Sequence, residues 1–285
     1  MEDELWNGVY QTVLEVSKQF RSHHKQFSDW WIVMTFLWAV VHDRPVSWAC
    51  QSRNWPTTER YRRYPSPATI SRRLRTPSVQ QLLGVVERSV RQRFNYSWCK
   101  WIDALPLPIG GSTTDPDARY GRAASTMAKG YKLYAICDPL AGIEVWDIHP
   151  MNVNENLVAK TMVRLLEGEG YLVGDGEYDS NTLYDAASGA GFQLIAPKRD
   201  GFALGHRHHS VYRLRAIELQ QRPFGKHLLH QRAGIDRFFG QWGNYGAGLK
   251  PLPHWVRRLW RVRLWIQGKI ILNSVRLALK QRLIA

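Results

Sequence analysis

The apolar periodicity changes character near residue 100. This break constrains the chain to a helical region followed by an α/β region. Before it, Leu5, Val9, Val13, Val16 and Phe20 recur at helical spacing, and Trp30–Val41 is the longest apolar run. A bilayer needs ~20 such residues, so that run predicts a buried helix rather than a membrane span. Asp43–Pro45 opens a third helix, packed by Trp48 and Trp55. Ser66–Pro67 and Thr76–Pro77 each place a capping residue before a first-turn proline. They open a short helix, Ala68–Arg75, and a longer one carrying Leu82, Leu83, Val86 and Val90.

From Lys100 the period becomes two. WIDALPLPI alternates, with Trp101, Asp103 and Leu105 on one face, and GYKLYAICD and GIEVWDI are joined by a hairpin signal at Pro139–Gly142. Asn152–Gly168 predicts a helix whose Leu157, Val158, Thr161, Met162, Leu165 and Leu166 share one face. YLVG and FQLIA are short apolar strands covered on both sides, separated by a helix that Ser180 caps and Gly189–Gly191 ends. The order three strands, helix, strand, helix, strand is an α/β domain with a mixed sheet. Residues 198–230 form a basic, histidine-rich insertion. Ile235, Phe238, Phe239 and Trp242 then define an amphipathic helix, and Trp255–Leu283 a long C-terminal one. The division is 1–99 helical and 100–285 α/β.

Charge is distributed in blocks. The chain carries +15 overall: +7 over residues 1–100, −6 over 101–200 and +14 over 201–285. Basic flanks around an acidic centre suit a polyanion held at both ends while central carboxylates act beside it. A solvated basic surface is the plainer alternative. Three scattered cysteines exclude a disulfide scaffold and a cysteine zinc site and fit a reducing cytoplasm. The opening MEDELWNG has no apolar core, so no secretory signal is expected.

Three aspartates stand where one site could form. Asp103 lies within the first strand. Asp175 follows YLVG at the strand's carboxyl end, where open α/β sheets place ligands. Asp236 borders the buried stripe of its helix and is one of only two acids in the last 85 residues, the other being Glu218. Each also has a structural reading: a strand-edge residue, an Asp-Gly turn, and an i, i+4 partner for Arg232. Together the three suit two-metal phosphoryl transfer, in which hard divalent ions prefer carboxylate oxygens.

The chain resembles the DDE transposases of bacterial insertion sequences. The matching stretches are IDALPLPIGG, DPDARYG, GYKLYAICD, YLVGDGEYDSNTLYDAA, QLIAPKR and HQRAGIDRFFGQWGNYGAGLKPLPHWVRR, over roughly residues 100–275. The resemblance implies a ribonuclease H-like mixed sheet flanked by helices, with an N-terminal all-helical DNA-binding region. It implies Asp103, Asp175 and Asp236 as catalytic and metal carboxylates for two Mg²⁺ ions, with Mn²⁺ as a substitute. It implies double-stranded DNA as partner (inverted-repeat ends and target), a homodimer on DNA, and a cytoplasmic, nucleoid-associated location. The family's third-acid segment reads Tyr, two residues, Arg, three residues, Glu, six residues, Lys. Here Arg232 and its spacing are kept, but the acid is Asp236, the tyrosine position is Leu229 and the lysine position is Gly243. A catalytically impaired, DNA-binding relic is the alternative these departures motivate.

The expected DNA contacts are Arg72, Arg73 and Arg75 on the ATISRRLR helix, preceded by Arg60, Arg62 and Arg63. Its proline-opened N-terminus would offer free N–H groups to phosphate. Arg232, Arg257 and Arg258 are further candidates. Arg257, Arg258, Arg261 and Arg263, interleaved with Trp255, Trp260 and Trp265, form either a backbone track or part of the core. His206, His208 and His209 have no second cluster at ligand spacing and belong to a basic loop.

Overall fold

A computed structural model of the chain describes residues 2–20, 26–56, 63–123, 126–198, 209–244, 248 and 252–282. The chain divides into two compact units, Met1–Phe94 with Tyr245–Leu249 and Leu264–Ala285, and Asn95–Asn244 with Lys250–Arg263.

The first unit contains helices α1 (Glu2–Ser17), α2 (Asp29–Val41), α3 (Val46–Ala49), α4 (Pro67–Arg73) and α5 (Pro77–Arg91). As its long apolar run predicts, α2 is buried on nearly every side. Trp38 stacks on Trp48 and on Trp55, and the Trp55 indole donates to the carbonyl of Ala49 at 2.7 Å. The third helix is a single turn because Asn54 and its neighbours fold into a separate 3₁₀ turn. Ser66 caps α4, its Oγ accepting from the Thr69 N–H at 3.2 Å, so the cap takes up one N–H of that seven-residue helix. The C-terminal part of the chain's last helix also belongs here. Gly268 lies against Val40 and Phe36, where a Cβ would meet their side chains at 3.1–3.3 Å.

The second unit is built on a six-stranded mixed sheet of β1 (Cys99–Pro108), β2 (Arg119–Ala123), β3 (Thr126–Asp138), β4 (Gly142–Pro150), β5 (Gly170–Val173) and β6 (Phe192–Ile195). β1 pairs antiparallel with β3 and parallel with β5, which continues parallel to β6. β3 is long enough to pair with β2 and β4 along successive stretches. β2, whose RYGRA has no apolar alternation, is a strand through its ladder to residues 126–130. The core lies between the sheet and the helices α6 (Glu155–Met162) and α7 (Asn181–Gly189), around Ile102, Ile136, Leu172, Tyr178 and Leu194.

The helix read over Asn152–Gly168 is shorter. It turns 3₁₀ at Val163–Leu165, which rotates Leu165 outward, and Leu157 also faces solvent, so these two leave the buried face. The basic insertion forms α8 (Val211–Gln221) and α9 (Pro223–Gln231) where it is described; His206 and His208 lie outside the described residues. Arg213 clamps α8 to the turn after β5. Its Nε and Nη2 donate to the two carboxylate oxygens of Asp179, at 2.6 and 2.7 Å. Next come α10 (Ala233–Asn244) and α11 (Leu259–Lys280). The stretch before α11 is not helical from Trp255 as expected. Arg258 has a φ of +74°, and the N–H groups of Arg258 and Leu259 donate to Asp115 and Asp117, each at 2.9 Å. Those aspartates cap α11 from a distant loop, which its own sequence could not reveal.

Arg73 departs from the expectation of a DNA contact. It is buried, ion-pairs with the equally buried Asp29, and donates from Nη1 to the carbonyl of Phe27 at 3.1 Å. Removing one member of such a pair leaves an uncompensated buried charge, typically costing about 3–5 kcal/mol. Asp29→Ala is therefore expected to lower the urea midpoint of the first unit steeply, whereas Arg72→Ala, at an exposed position, is expected to leave it within experimental error.

Candidate active site

Strand register brings the first two aspartates level. β1 and β5 run parallel with Cys99 opposite Tyr171 and Trp101 opposite Val173. The ladder ends there; Asp103 lies two residues further along β1, and Asp175 two residues past the end of β5. Asp103 faces Ala135 on its other flank. Its Oδ1 accepts from the N–H of Ala104 at 2.7 Å. Asp175 caps a one-turn 3₁₀ helix, Gly176–Tyr178, with its Oδ1 accepting from the N–H of Glu177 at 2.8 Å.

The third aspartate arrives by helix docking. α10 crosses β1 at Gly234, where a Cβ would meet the Trp101 indole at 2.4 Å, so only glycine allows this approach. Trp101 and Asp103 share a face of the strand, whereas Asp236, two residues past Gly234, lies about 200° round the helix from that contact. Ile235 and Phe239 anchor the helix while Asp236 remains outward. Its side chain is 61% exposed and lies 3.7 Å from the Arg232 guanidinium, the pairing that i, i+4 spacing foresaw.

Electrostatics tie these groups to one another. Burial pushes the Asp103 carboxyl up to about 7, and the charges of Asp175, Asp236 and Glu155 push in the same direction against the Ala104 hydrogen bond. Glu155, the first residue of α6, escaped the sequence reading because an acid after a capping Asn154 reads as ordinary helix-start chemistry. The hydroxyl of Tyr178, a fully buried residue, has no hydrogen-bond partner. Burial raises its pKa, reinforced by Glu155, Asp103 and Asp175.

These donors fit a divalent cation by chemistry. They are carboxylate oxygens, they carry mutually repelling charge, and an orphaned hydroxyl lies among them. Among the described residues, however, no three His, Cys, Asp or Glu side chains stand close enough to share one ion. Asp103 and Asp175 each spend an oxygen on a backbone amide, and Asp236 leans on Arg232.

Residues 97–271 match the family model of the transposase DDE domain, more than half of the chain. The chain belongs to the transposase DDE-domain family. No individual curated protein and no solved structure matches it significantly. This family consists of metal-dependent DNA-cleaving enzymes, and the transposase's mixed sheet flanked by helices, with a helical region before it, agrees with the expected ribonuclease H-like fold. None of the described helices is long and apolar enough to cross a membrane.

The remaining arginines of the transposase divide by environment. Arg72 and Arg75 are exposed, and Arg75 donates to the carbonyl of Ser71. Arg232 is half-buried beside Asp236. Arg257 folds onto its own loop, donating to the carbonyls of Pro253 and Val256, both at 2.8 Å. Arg258 is held by its backbone on Asp115, with its guanidinium 3.7 Å from Asp117. Arg60 and Arg62 lie outside the described residues. Trp265 is core, and His209 Nδ1 accepts from Arg213 Nη1 at 3.1 Å.

Because the folded pKa of Asp103 exceeds its unfolded value, its contribution to stability is complete below pH about 4 and is lost as pH rises to about 7. Asp103→Asn removes that penalty. At pH 8 without metal it is expected to raise the Tm of the sheet unit by at least about 4 °C, with little change at pH 4. The same substitution is expected to abolish the Tm gain that Mn²⁺ gives the parent, read by differential scanning calorimetry. A second test concerns the docking of α10. Gly234→Val should drive the helix off Trp101 and reduce metal-dependent DNA cleavage by about tenfold or more, while far-UV circular dichroism stays unchanged.

Proposed function

We propose that the protein is an insertion-sequence transposase that binds the inverted repeats at the ends of its element, cleaves them and joins the freed 3′ ends to target DNA. The observation that carries this reading is the parallel pairing of β1 with β5, which leaves Asp103 on β1 and Asp175 just past the end of β5, with α10 packed on Trp101 of β1. Asp103, Asp175 and Asp236 are the metal carboxylates and hence the catalytic set, with two Mg²⁺ ions as resident cofactor and Mn²⁺ as substitute. When bound, such ions supply Lewis acidity to the attacking and leaving oxygens of an in-line displacement.

The side chains have distinct tasks. Asp103 presents a carboxylate from a rigid strand. Asp175 presents a second from the strand's end, held in orientation by the Glu177 amide. Asp236 must exchange its contact with Arg232 for the centre, which frees that guanidinium for a DNA phosphate. Arg72 and Arg75 supply phosphate contacts, and Arg258 adds one at its half-exposed guanidinium. Arg257 turns inward and supports its loop. The protein acts in the cytoplasm at the nucleoid as a homodimer, since two ends are paired before joining.

A second reading has its own observation. Asp236 is exposed and paired with Arg232, and it stands where the family carries the longer glutamate. A transposase relic that binds ends without cutting them would look the same. Cleavage of a labelled inverted-repeat duplex separates the two. For an active enzyme, Asp103→Asn abolishes Mg²⁺-dependent cutting and preserves salt-sensitive binding, and Asp236→Glu changes the rate by a few-fold. A silent parent that gains strand cleavage about a hundredfold on Asp236→Glu would identify the relic.

A further inference from the structure

The first turn of α6 is tied to the acidic centre from three sides. Tyr134 of β3, one residue before the partner of Asp103, donates its hydroxyl to the carbonyl of Val153 at 2.8 Å. Lys132, two residues earlier on the same strand, donates to Glu155 Oε1 at 2.7 Å. Asn156 Nδ2 donates at 2.7 Å to the carbonyl of Glu177, in the turn that Asp175 caps. These contacts leave little freedom in where Glu155 stands, and its side chain is only 23% exposed.

Two buried oxygens beside it lack hydrogen-bond partners. One is the Tyr178 hydroxyl, opposed by the negative charges of Glu155, Asp103 and Asp175 in that order. The other is Asn156 Oδ1. Burying unpaired polar atoms is costly unless something else satisfies them, so this corner of the unit is built to receive a polar occupant. Lys132 compensates Glu155 with a single charge, whereas Asp103 and Asp175 form no ion pair among the described residues.

We propose that Glu155 is a fourth carboxylate of the divalent-cation centre, acting with Asp103 and Asp175 beside the Tyr178 hydroxyl and held by Lys132 until the cation binds. This rests on the reading of Asp103 and Asp175 as metal carboxylates. Unlike Asp236, Glu155 is carried next to the sheet without needing to leave an exposed partner, so it supplies negative charge that the helix α10 delivers less directly.

Mn²⁺ titration of the full chain, followed through the paramagnetic resonance of the free ion, tests the proposal without DNA or turnover. Glu155→Gln keeps the side chain's shape and is expected to weaken Mn²⁺ binding about tenfold or more. Lys132→Met removes the competing cation and is expected to tighten Mn²⁺ binding at least about threefold, although it lowers metal-free stability. A merely structural ion pair would not produce that opposite response. Unchanged affinity in Lys132→Met, or in a folded Glu155→Gln, overturns the role of Glu155 when Asp103→Asn still loses Mn²⁺. If Asp103→Asn also binds Mn²⁺ as the parent does, the metal-carboxylate reading itself fails, and the role of Glu155 with it.

Discussion

The parallel pairing of β1 with β5 is the constraint on which the rest of the structure depends. It brings Asp103 and Asp175 to the same end of the sheet despite their mutual repulsion, and the buried residues around Ile102 and Leu172 hold the two strands together. Burial first, and the charges of Asp175, Asp236 and Glu155 after it, push the Asp103 carboxyl up to about 7. A protein gains no stability from such an arrangement without a cation. Strain of this kind at a polar cluster is a mark of function rather than of folding.

The third acid depends on a different kind of contact. Gly234 lets α10 lie directly on Trp101, while Asp236, two residues on and about 200° round the helix, stays exposed beside Arg232. The helices before it are secured by the paired hydrogen bonds between Arg213 and Asp179, four residues beyond Asp175. One short segment after β5 thus presents Asp175 itself and, through Asp179, fastens the insertion that leads to Asp236. Glu155 reaches the same neighbourhood from α6, through Lys132 and Asn156. The acids come from four elements, and the sheet is the frame common to them.

Basic residues show how little charge alone says about role. Arg72 and Arg73 are adjacent in sequence, yet one is exposed and the other is sealed against Asp29. A helix turns 100° per residue, so neighbours on a short helix face opposite environments. Arg257 and Arg258 differ from each other in the same way: one folds onto its loop's carbonyls, and the other extends beside Asp117 with its backbone tied to Asp115. The Asp115 carboxyl is itself held below the usual range: burial raises it, but hydrogen bonds from Tyr131, Arg258 and Asp117 outweigh that effect.

Local pattern was enough to determine the change from helices to alternating strands, the position of Asp103 on a strand and of Asp175 at a strand's end, and the amphipathic stripe around Asp236. Periodicity and turn chemistry act within a few residues and are written there. The strand RYGRA, the outward turn of Leu157 and Leu165, and the capping of α11 by Asp115 and Asp117 were decided by partners far away in the chain. The same holds for Arg73, which reads as a surface base until Asp29 comes beside it, and for Glu155, which reads as a helix-start acid until β3 and the Asp175 turn close around it. Burial and Coulombic coupling depend on distances in space, and only the folded chain sets those.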